Sequence, residues 1–391
     1  SAVGVSGAFN SRLKAPLTPT ADSVLQISAQ SSLAELVRMA KLILIDESTM
    51  LDRFLLEALD RTLKDLMGQP DQPFGGKIIL LAGDFRQCLP VVPGTTRAGT
   101  VAHCINQSFL WQHFQILELT ENMRVRASGD PVLEDFDKWT LSIGNGTVRS
   151  GDIPIPPEMT TEIVANKPKE PWHEENSMKK FCRLIFPDIE SKIQTPGWLE
   201  GRSILAPTNK EVDAINDIMK DRIPGDVLKL SSADTLQPNG FPQHMLSLKP
   251  GIPLMLLRNL NPRQGLCNGT RLIFDKCINN KLLQCRIVGS ERLVLIPRIT
   301  FIPKVKEYPF EWQRRQFPVR VAFATSINKS QGQTFKNVGI WLRGQAFSHG
   351  QLYVACSRVS SPDQLKFAIM QDSNQKELTA KNIVFHEVLL H

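Results

Sequence analysis

The chain has 391 residues, 42% hydrophobic and 22% charged, with 46 Lys and Arg against 39 Asp and Glu for a net charge of +7. That length gives room for two or three domains with ample core, and no apolar run approaches the ~20 residues of a membrane-spanning helix. The seven cysteines include no Cys-x-x-Cys pair, which argues against a zinc site or disulfide framework and for a reducing compartment.

The chain opens Ser1-Ala-Val-Gly-Val-Ser-Gly7, with no basic segment and no long apolar stretch, so this is not a signal peptide. It lacks an initiator Met and reads as a fragment or a processed product. Residues 1–30 carry no clear periodicity and read as loop with short elements. Leu33, Leu36, Val37 and Ala40 predict a helix that leads into Lys41-Leu-Ile-Leu-Ile-Asp-Glu-Ser-Thr-Met50. This is a short β-branched run that ends abruptly in two carboxylates and so reads as a buried strand. Acids at the carboxyl end of such a strand lie where α/β sheets bind ligands. Asp46 and Glu47 are then either a metal carboxylate with a water-activating neighbour, or a solvated strand end.

Leu55, Leu59, Leu63 and Leu66 predict a following helix stopped at Gly68. A second buried strand, Lys77–Ala82, ends in Gly83-Asp-Phe-Arg-Gln87, and a third apolar stretch, Phe114–Leu119, runs into Thr120-Glu-Asn-Met-Arg124. Strands that end in polar groups and are separated by crossovers predict a parallel α/β lobe. Residues 150–200 read as a Pro-rich connector with a helix near Ser177–Phe186. A second α/β unit starts with strand Ser203–Ala206 and a helix opened by the capping box Thr208-Asn-Lys-Glu211.

From 241 to 318 short strand-like runs predict a small β-barrel inserted in the second lobe, with Asn268-Gly269 as its hairpin signal. Strands Val319–Ala324, Val338–Leu342 and Leu365–Met370 and a helix over His349–Arg358 complete that lobe. The positive charge is concentrated here: Met255–Arg320 holds 13 Lys or Arg against 4 Asp or Glu. That pattern suits a polyanion, although a solvated face has the same composition. Trp312 stacks on a base or packs at the barrel rim. His103-Cys104 has no nearby partners and reads as structural.

The ordered set Asp46-Glu-Ser-Thr-Met50, Gly83-Asp-Phe-Arg-Gln-Cys-Leu-Pro90, Leu119-Thr-Glu-Asn-Met-Arg124, Leu266-Cys-Asn-Gly-Thr-Arg271, Arg314-Arg-Gln-Phe-Pro318, Ile327-Asn-Lys-Ser-Gln-Gly-Gln333 and Ser348-His-Gly-Gln-Leu-Tyr-Val-Ala-Cys-Ser-Arg358 resembles the petite-integration-frequency DNA helicases. It resembles in particular the helicase half of Helitron transposon proteins. The resemblance implies an α/β protein of two RecA-like P-loop NTPase lobes with parallel sheets and an SH3-like β-barrel insert. The first lobe would span 1–125, with about 7–32 as a wedge subdomain; the second would span 126–240 and 319–391, with the insert at 241–318. It also implies a 5′→3′ helicase that moves on single-stranded DNA by ATP hydrolysis. Its setting would be repair, recombination, telomere maintenance or transposition. Its partners would be forks and duplex junctions, its state a monomer, and its location nuclear.

Residue by residue, the resemblance implies that Asp46 holds Mg²⁺, Glu47 activates water and Gln87 senses the γ-phosphate of ATP. Arg124 and Arg358 would act as arginine fingers from either side of a cleft, a role worth ~10³–10⁵ in rate. Gln331, with Lys329 and Gly332, would couple nucleotide state to the grip on DNA, and Arg314 and Arg315 would contact DNA. Phe9, Ser11 and Arg12 fall where the family has a DNA-contacting motif, but Ala-Phe-Asn-Ser-Arg matches it loosely and reads equally as loop.

One element of the pattern is missing. No Gly-x-x-Gly-x-Gly-Lys-Thr segment, whose amides and Lys would cradle phosphates, occurs in the sequence. Nucleotide affinity should fall severely, the exposed sheet edge should destabilise the first lobe, and the chain as written should show negligible DNA-stimulated ATPase activity. An N-terminally incomplete helicase is the favoured reading. The alternative is a transposon remnant that at most binds single-stranded nucleic acid.

Overall fold

The computed structural model describes residues 2–6, 13–16, 18–147, 151–161, 171–193, 195, 197–199, 201–234, 241–290, 292–302, 310, 312–343, 345–369 and 378–389. The chain divides into two compact units. One comprises Ser1–Ile153, Ala346–Ser357 and Lys381–His391; the other comprises Pro154–Gln345 and Arg358–Ala380.

In the first unit the strand Leu42–Asp46 lies between Ala2–Ser6 and Ile78–Leu81, all parallel. Its period-two pattern sends Ile43 and Ile45 into the core, as a pleated strand requires. The helix Arg53–Met67 buries Leu55, Leu56, Leu59, Leu63 and Leu66 in the same core. Asp52 caps its start by accepting the Phe54 N–H, and Gly68 ends it in the left-handed region at φ 63°, where glycine carries no β-carbon penalty. Two acids on this helix are buried because each is bonded: Asp60 pairs with Lys64 at 2.9 Å, and Glu57 accepts the Ser108 hydroxyl at 2.9 Å.

The stretch Phe114–Leu119 does not form the expected third strand. It is unpaired, and Leu117 and Leu119 are 78% and 101% exposed. The third place is taken by Ala2–Ser6, from a segment read as loop. A strand is defined by the neighbour it pairs with, and an apolar run without one stays irregular. Ile78 and Leu80, on alternate positions of the other outer strand, are 65% and 43% exposed.

The second unit holds a parallel sheet in the order Ala324–Ser326, Arg202–Ala206, Asn337–Leu342, Leu365–Ile369. These strands are buried nearly throughout, as parallel strands covered on both faces must be. The helices Pro171–Ile185 and Asn209–Arg222 pack on the sheet. The Thr208/Glu211 capping box opens the latter as expected.

An antiparallel sheet follows, in the order Leu293–Pro297, Leu282–Ile287, Arg271–Ile278, Pro253–Leu256, Val319–Val321. Its tight hairpin is at Asn279-Asn280, both at positive φ, closed by the Lys281 N–H on the Ile278 carbonyl at 3.0 Å. Asn268-Gly269 instead lies in the longer connection before Arg271. The single strand expected over Val319–Ala324 is split. Val319–Val321 completes the antiparallel sheet, and after Ala322-Phe323 the chain enters the parallel one at Ala324.

The units do not part at 125, 240 and 318. The helix Pro131–Asn145 belongs with the first unit because its Gly144 lets Arg86 and Tyr353 approach closely: a β-carbon there would lie 2.9 Å from a carbon of each. The expected helix over His349–Arg358 is shorter, Gln351–Cys356, and also belongs to the first unit, whereas the antiparallel sheet belongs to the second.

Candidate functional site

The carboxyl ends of two adjacent parallel strands form the centre of the site. Asp46 ends its strand, and its Oδ1 accepts the Glu47 N–H at 3.0 Å. Glu47 then sits at φ 53°, ψ 39°, a left-handed backbone that costs a non-glycine residue on the order of 1 kcal/mol and is over-represented at functional sites. The next residues are tied to the neighbouring strand's loop: the Ser48 N–H donates to the Ala82 carbonyl at 2.8 Å, and Thr49 Oγ1 to the Asp84 carbonyl at 3.4 Å. Gly83 makes this approach possible, since a β-carbon there would lie 3.1 Å from Thr49 Cγ2 and 3.2 Å from Ser48 N.

That second loop carries Gln87, whose N–H donates to the Asp84 carbonyl at 3.0 Å. Its side-chain Oε1 is buried with no hydrogen-bond partner among the described residues. A buried amide oxygen in that state is a place for water or a ligand. Asp46, Glu47 and Gln87 thus stand on two loops stitched together. Arg124 is in the helix Met123–Ser128, but its side chain is outside the described residues, as are Phe9, Ser11 and Arg12.

In the second unit Arg358 and the Gln331 loop come together. The Arg358 guanidinium, 7% exposed, donates to the carbonyls of Gln333 at 3.0 Å and Ser330 at 3.4 Å. It therefore brackets Gln331 and Gly332, the latter at φ 74°. Lys329 is exposed, yet desolvation of its ammonium, followed by the Arg320 charge, lowers its pKa against the opposing pull of Asp213.

Arg314 is a correction. Expected on a DNA-facing surface, it is 1% exposed. Its Nε donates to Asp234 Oδ2 at 3.0 Å, its NH1 donates to the Pro242 carbonyl at 2.7 Å, and its NH2 also reaches Asp234. Those bonds, first among the causes, hold the Asp234 carboxyl below the usual carboxylate range. Arg315, the next residue in the strand, points the opposite way and is exposed, as strand alternation requires. Trp312 packs against Phe241, ring centroids 5.1 Å apart, the rim reading rather than base stacking. His103 binds Asp52 at 2.7 Å, and burial pushes the Cys104 thiol up to about 12, so both are structural.

Asp84 is the polar residue the sequence reading passed over. Its carbonyl and carboxylate organise the Gln87 loop, and its place directly after Gly83 at a strand end was the available signal. Among the described residues no group of three or more His, Cys, Asp or Glu could hold a metal. Mg²⁺ needs no such cage, since one or two carboxylates serve when phosphates and water complete its octahedron. Asp46 fits that requirement.

The PIF1-like helicase family matches residues 5–153, and the Pif1 helicase 2B domain matches residues 232–275. The ATP-dependent DNA helicase PIF1 of Danio rerio is 28% identical over 340 residues, covering 83% of this chain and 46% of that protein. The chain thus resembles the PIF1-like helicases. The human PIF1 is 27% identical over 83% of the chain and 45% of its own length, so the chain spans about half the length of these curated relatives.

Among solved structures, one of two coordinating Pif1 helicases at forked dsDNA superposes with a TM-score of 0.70 at 21% identity, covering 95% of this chain and 82% of that one. The Candida albicans Pif1 helicase gives 0.59 at 23% identity over 88% and 78%. This likeness establishes an α/β helicase fold with parallel sheets. The expectation of a monomer draws no support from the first structure, which contains two helicases.

Proposed function

We propose that this chain is the motor region of an ATP-dependent DNA helicase that moves along single-stranded DNA. The observation that carries the reading is the pairing of a left-handed Glu47 with the unpartnered Gln87 Oε1 on adjoining strand-end loops. Phosphoryl transfer asks for a metal carboxylate, a group that positions the attacking water, and cations for the developing charge. Asp46 would hold Mg²⁺, which would supply positive charge to neutralise the phosphates. Glu47 orients and deprotonates the attacking water, and Gln87 Oε1 accepts a hydrogen bond from it. Arg358 is the cation for the transferred phosphate, Arg124 a second, and Arg358's bonds to both sides of Gln331-Gly332 tie that function to a loop proposed to sense DNA.

Arg315 and Lys329 are the proposed DNA contacts, with Arg314 supporting the surface from beneath. The same proposal includes SH3-like closure of the antiparallel sheet, forked substrates, 5′→3′ movement, a nuclear location and kinship with Helitron helicases. The test is ATP hydrolysis by the natural protein with and without single-stranded DNA. DNA-stimulated turnover that Glu47→Gln lowers by about 10²–10⁴ is expected. Turnover undiminished in Glu47→Gln, or no turnover with any DNA, overturns the reading.

A further inference from the structure

The loop that carries Gln87 is gripped by a segment to which no role has been assigned. His349 is 2% exposed; its Nε2 donates to the Phe85 carbonyl at 2.7 Å, while its Nδ1 accepts the Phe385 N–H at 2.8 Å. The two bonds fix one neutral tautomer. Gly350 follows at φ 72°, so close to the loop that a β-carbon would lie 2.4 Å from the Arg86 carbonyl oxygen and 2.6 Å from the Gln87 carbonyl carbon and oxygen. One helical turn later the Tyr353 hydroxyl donates to Asp84 Oδ2 at 2.9 Å. Asp84 Oδ1 meanwhile accepts the Arg86 N–H at 3.0 Å, and Arg86 Nε donates to Asn145 Oδ1 at 2.7 Å. The Asp84 carboxylate, the Phe85 carbonyl and the backbone of Arg86 and Gln87 are therefore all held, whereas the buried Gln87 side-chain oxygen has no hydrogen-bond partner among the described residues.

We propose that His349, Gly350 and Tyr353 are positioning residues that set where Gln87 presents its side-chain oxygen. The inference rests on the function proposed above. It adds that the turnover rate is set partly by three residues that touch neither nucleotide nor DNA. A catalytic group displaced by about 1 Å can lose about a hundredfold in rate, so the bonds that hold this loop bear on turnover.

Tyr353→Phe removes a single hydroxyl and is the least disruptive probe; Gly350→Ala and the pair His349→Gln and His349→Leu accompany it. Two measurements on the natural protein are needed: amide hydrogen exchange over 84–88, and steady-state ATP hydrolysis with saturating single-stranded DNA. In Tyr353→Phe, exchange over 84–88 should quicken while exchange in the strands 42–46 and 78–81 stays unchanged. The kcat should fall by about tenfold, with KM for ATP and the Kd for DNA within about twofold. His349→Gln, which keeps a donor, should retain more kcat than His349→Leu. Combining Tyr353→Phe with Gln87→Ala should cost no more than Gln87→Ala alone, because both act on one group. Unchanged exchange over 84–88, undiminished kcat in the presence of quickened exchange, or losses that multiply in the double variant would each overturn the proposal. If the unaltered protein hydrolyses no ATP, the helicase reading fails, and the exchange measurement still decides whether the grip exists.

Discussion

Glu47 and Gln87 divide the chemistry at the level of single side chains. Glu47→Gln keeps the shape of the strand end but removes the base, so nucleotide and DNA binding should persist while turnover falls by about 10²–10⁴, read as kcat beside equilibrium binding. Arg314 makes the opposite kind of prediction. Breaking a buried pair costs about 3–5 kcal/mol, so Arg314→Ala should lower the denaturant midpoint strongly. Arg315→Ala should leave the midpoint alone and weaken DNA binding. Burial holds His349 below its ordinary value of 6.5, with Arg97 acting the same way and the Phe85 carbonyl, Asp84 and Glu387 opposing. The unfolded chain therefore binds the proton first, and stability should fall as pH drops through about 6.5. His349→Gln should flatten that fall in thermal unfolding followed across the window. Asp46 and Glu47 were legible because they interrupt an apolar strand. The burial of Arg314 was not, because Asp234 lies 80 residues away in sequence and no local pattern points to it.

Helices and turns were read well where their signals were local. The helix Arg53–Met67 shows its apolar spacing, its Asp52 cap and its Gly68 stop within one window. Gly68 has open space around it, so Gly68→Ala should cost about 1 kcal/mol through the left-handed backbone alone, measurable by chemical denaturation. The Asn279-Asn280 turn was passed over in favour of Asn268-Gly269, the stronger dipeptide, because register selects the turn and the sequence does not show register. Asn280→Gly should be neutral or stabilising, and Asn280→Val should cost about 1–2 kcal/mol. The irregular Phe114–Leu119 teaches the same lesson. Its composition suits a strand, but pairing is a property of two segments, and the partner came from Ala2–Ser6.

At the scale of the whole chain, charge and topology carry the remaining expectations. A basic Met255–Arg320 segment that contacts phosphates releases counterions, so log affinity for single-stranded DNA should fall linearly with log salt, and Arg315→Ala should reduce the slope by about 0.7. Affinity indifferent to salt would remove this segment from the DNA surface. The ordered motifs made the two-unit α/β plan legible, whereas the unit boundaries were hidden. The first unit adds Ala346–Ser357 and Lys381–His391 to the continuous stretch Ser1–Ile153, and only tertiary packing gathers them.

The split of Val319–Ser326 into one strand in each sheet of the second unit has a mechanical consequence. From Val319 the chain runs through the antiparallel sheet, crosses at Ala322-Phe323 and continues through Ala324–Ser326 into the turn Ile327–Ser330 and Gln331. No glycine interrupts it. At the crossing the Ala322 N–H donates to the Pro253 carbonyl at 2.9 Å and the Phe323 carbonyl accepts the Ile204 N–H at 3.1 Å. Extended chain held on both flanks behaves as a taut connecting rod. A displacement of the antiparallel sheet should therefore reach the turn Ile327–Ser330 and the Gln331 that follows it.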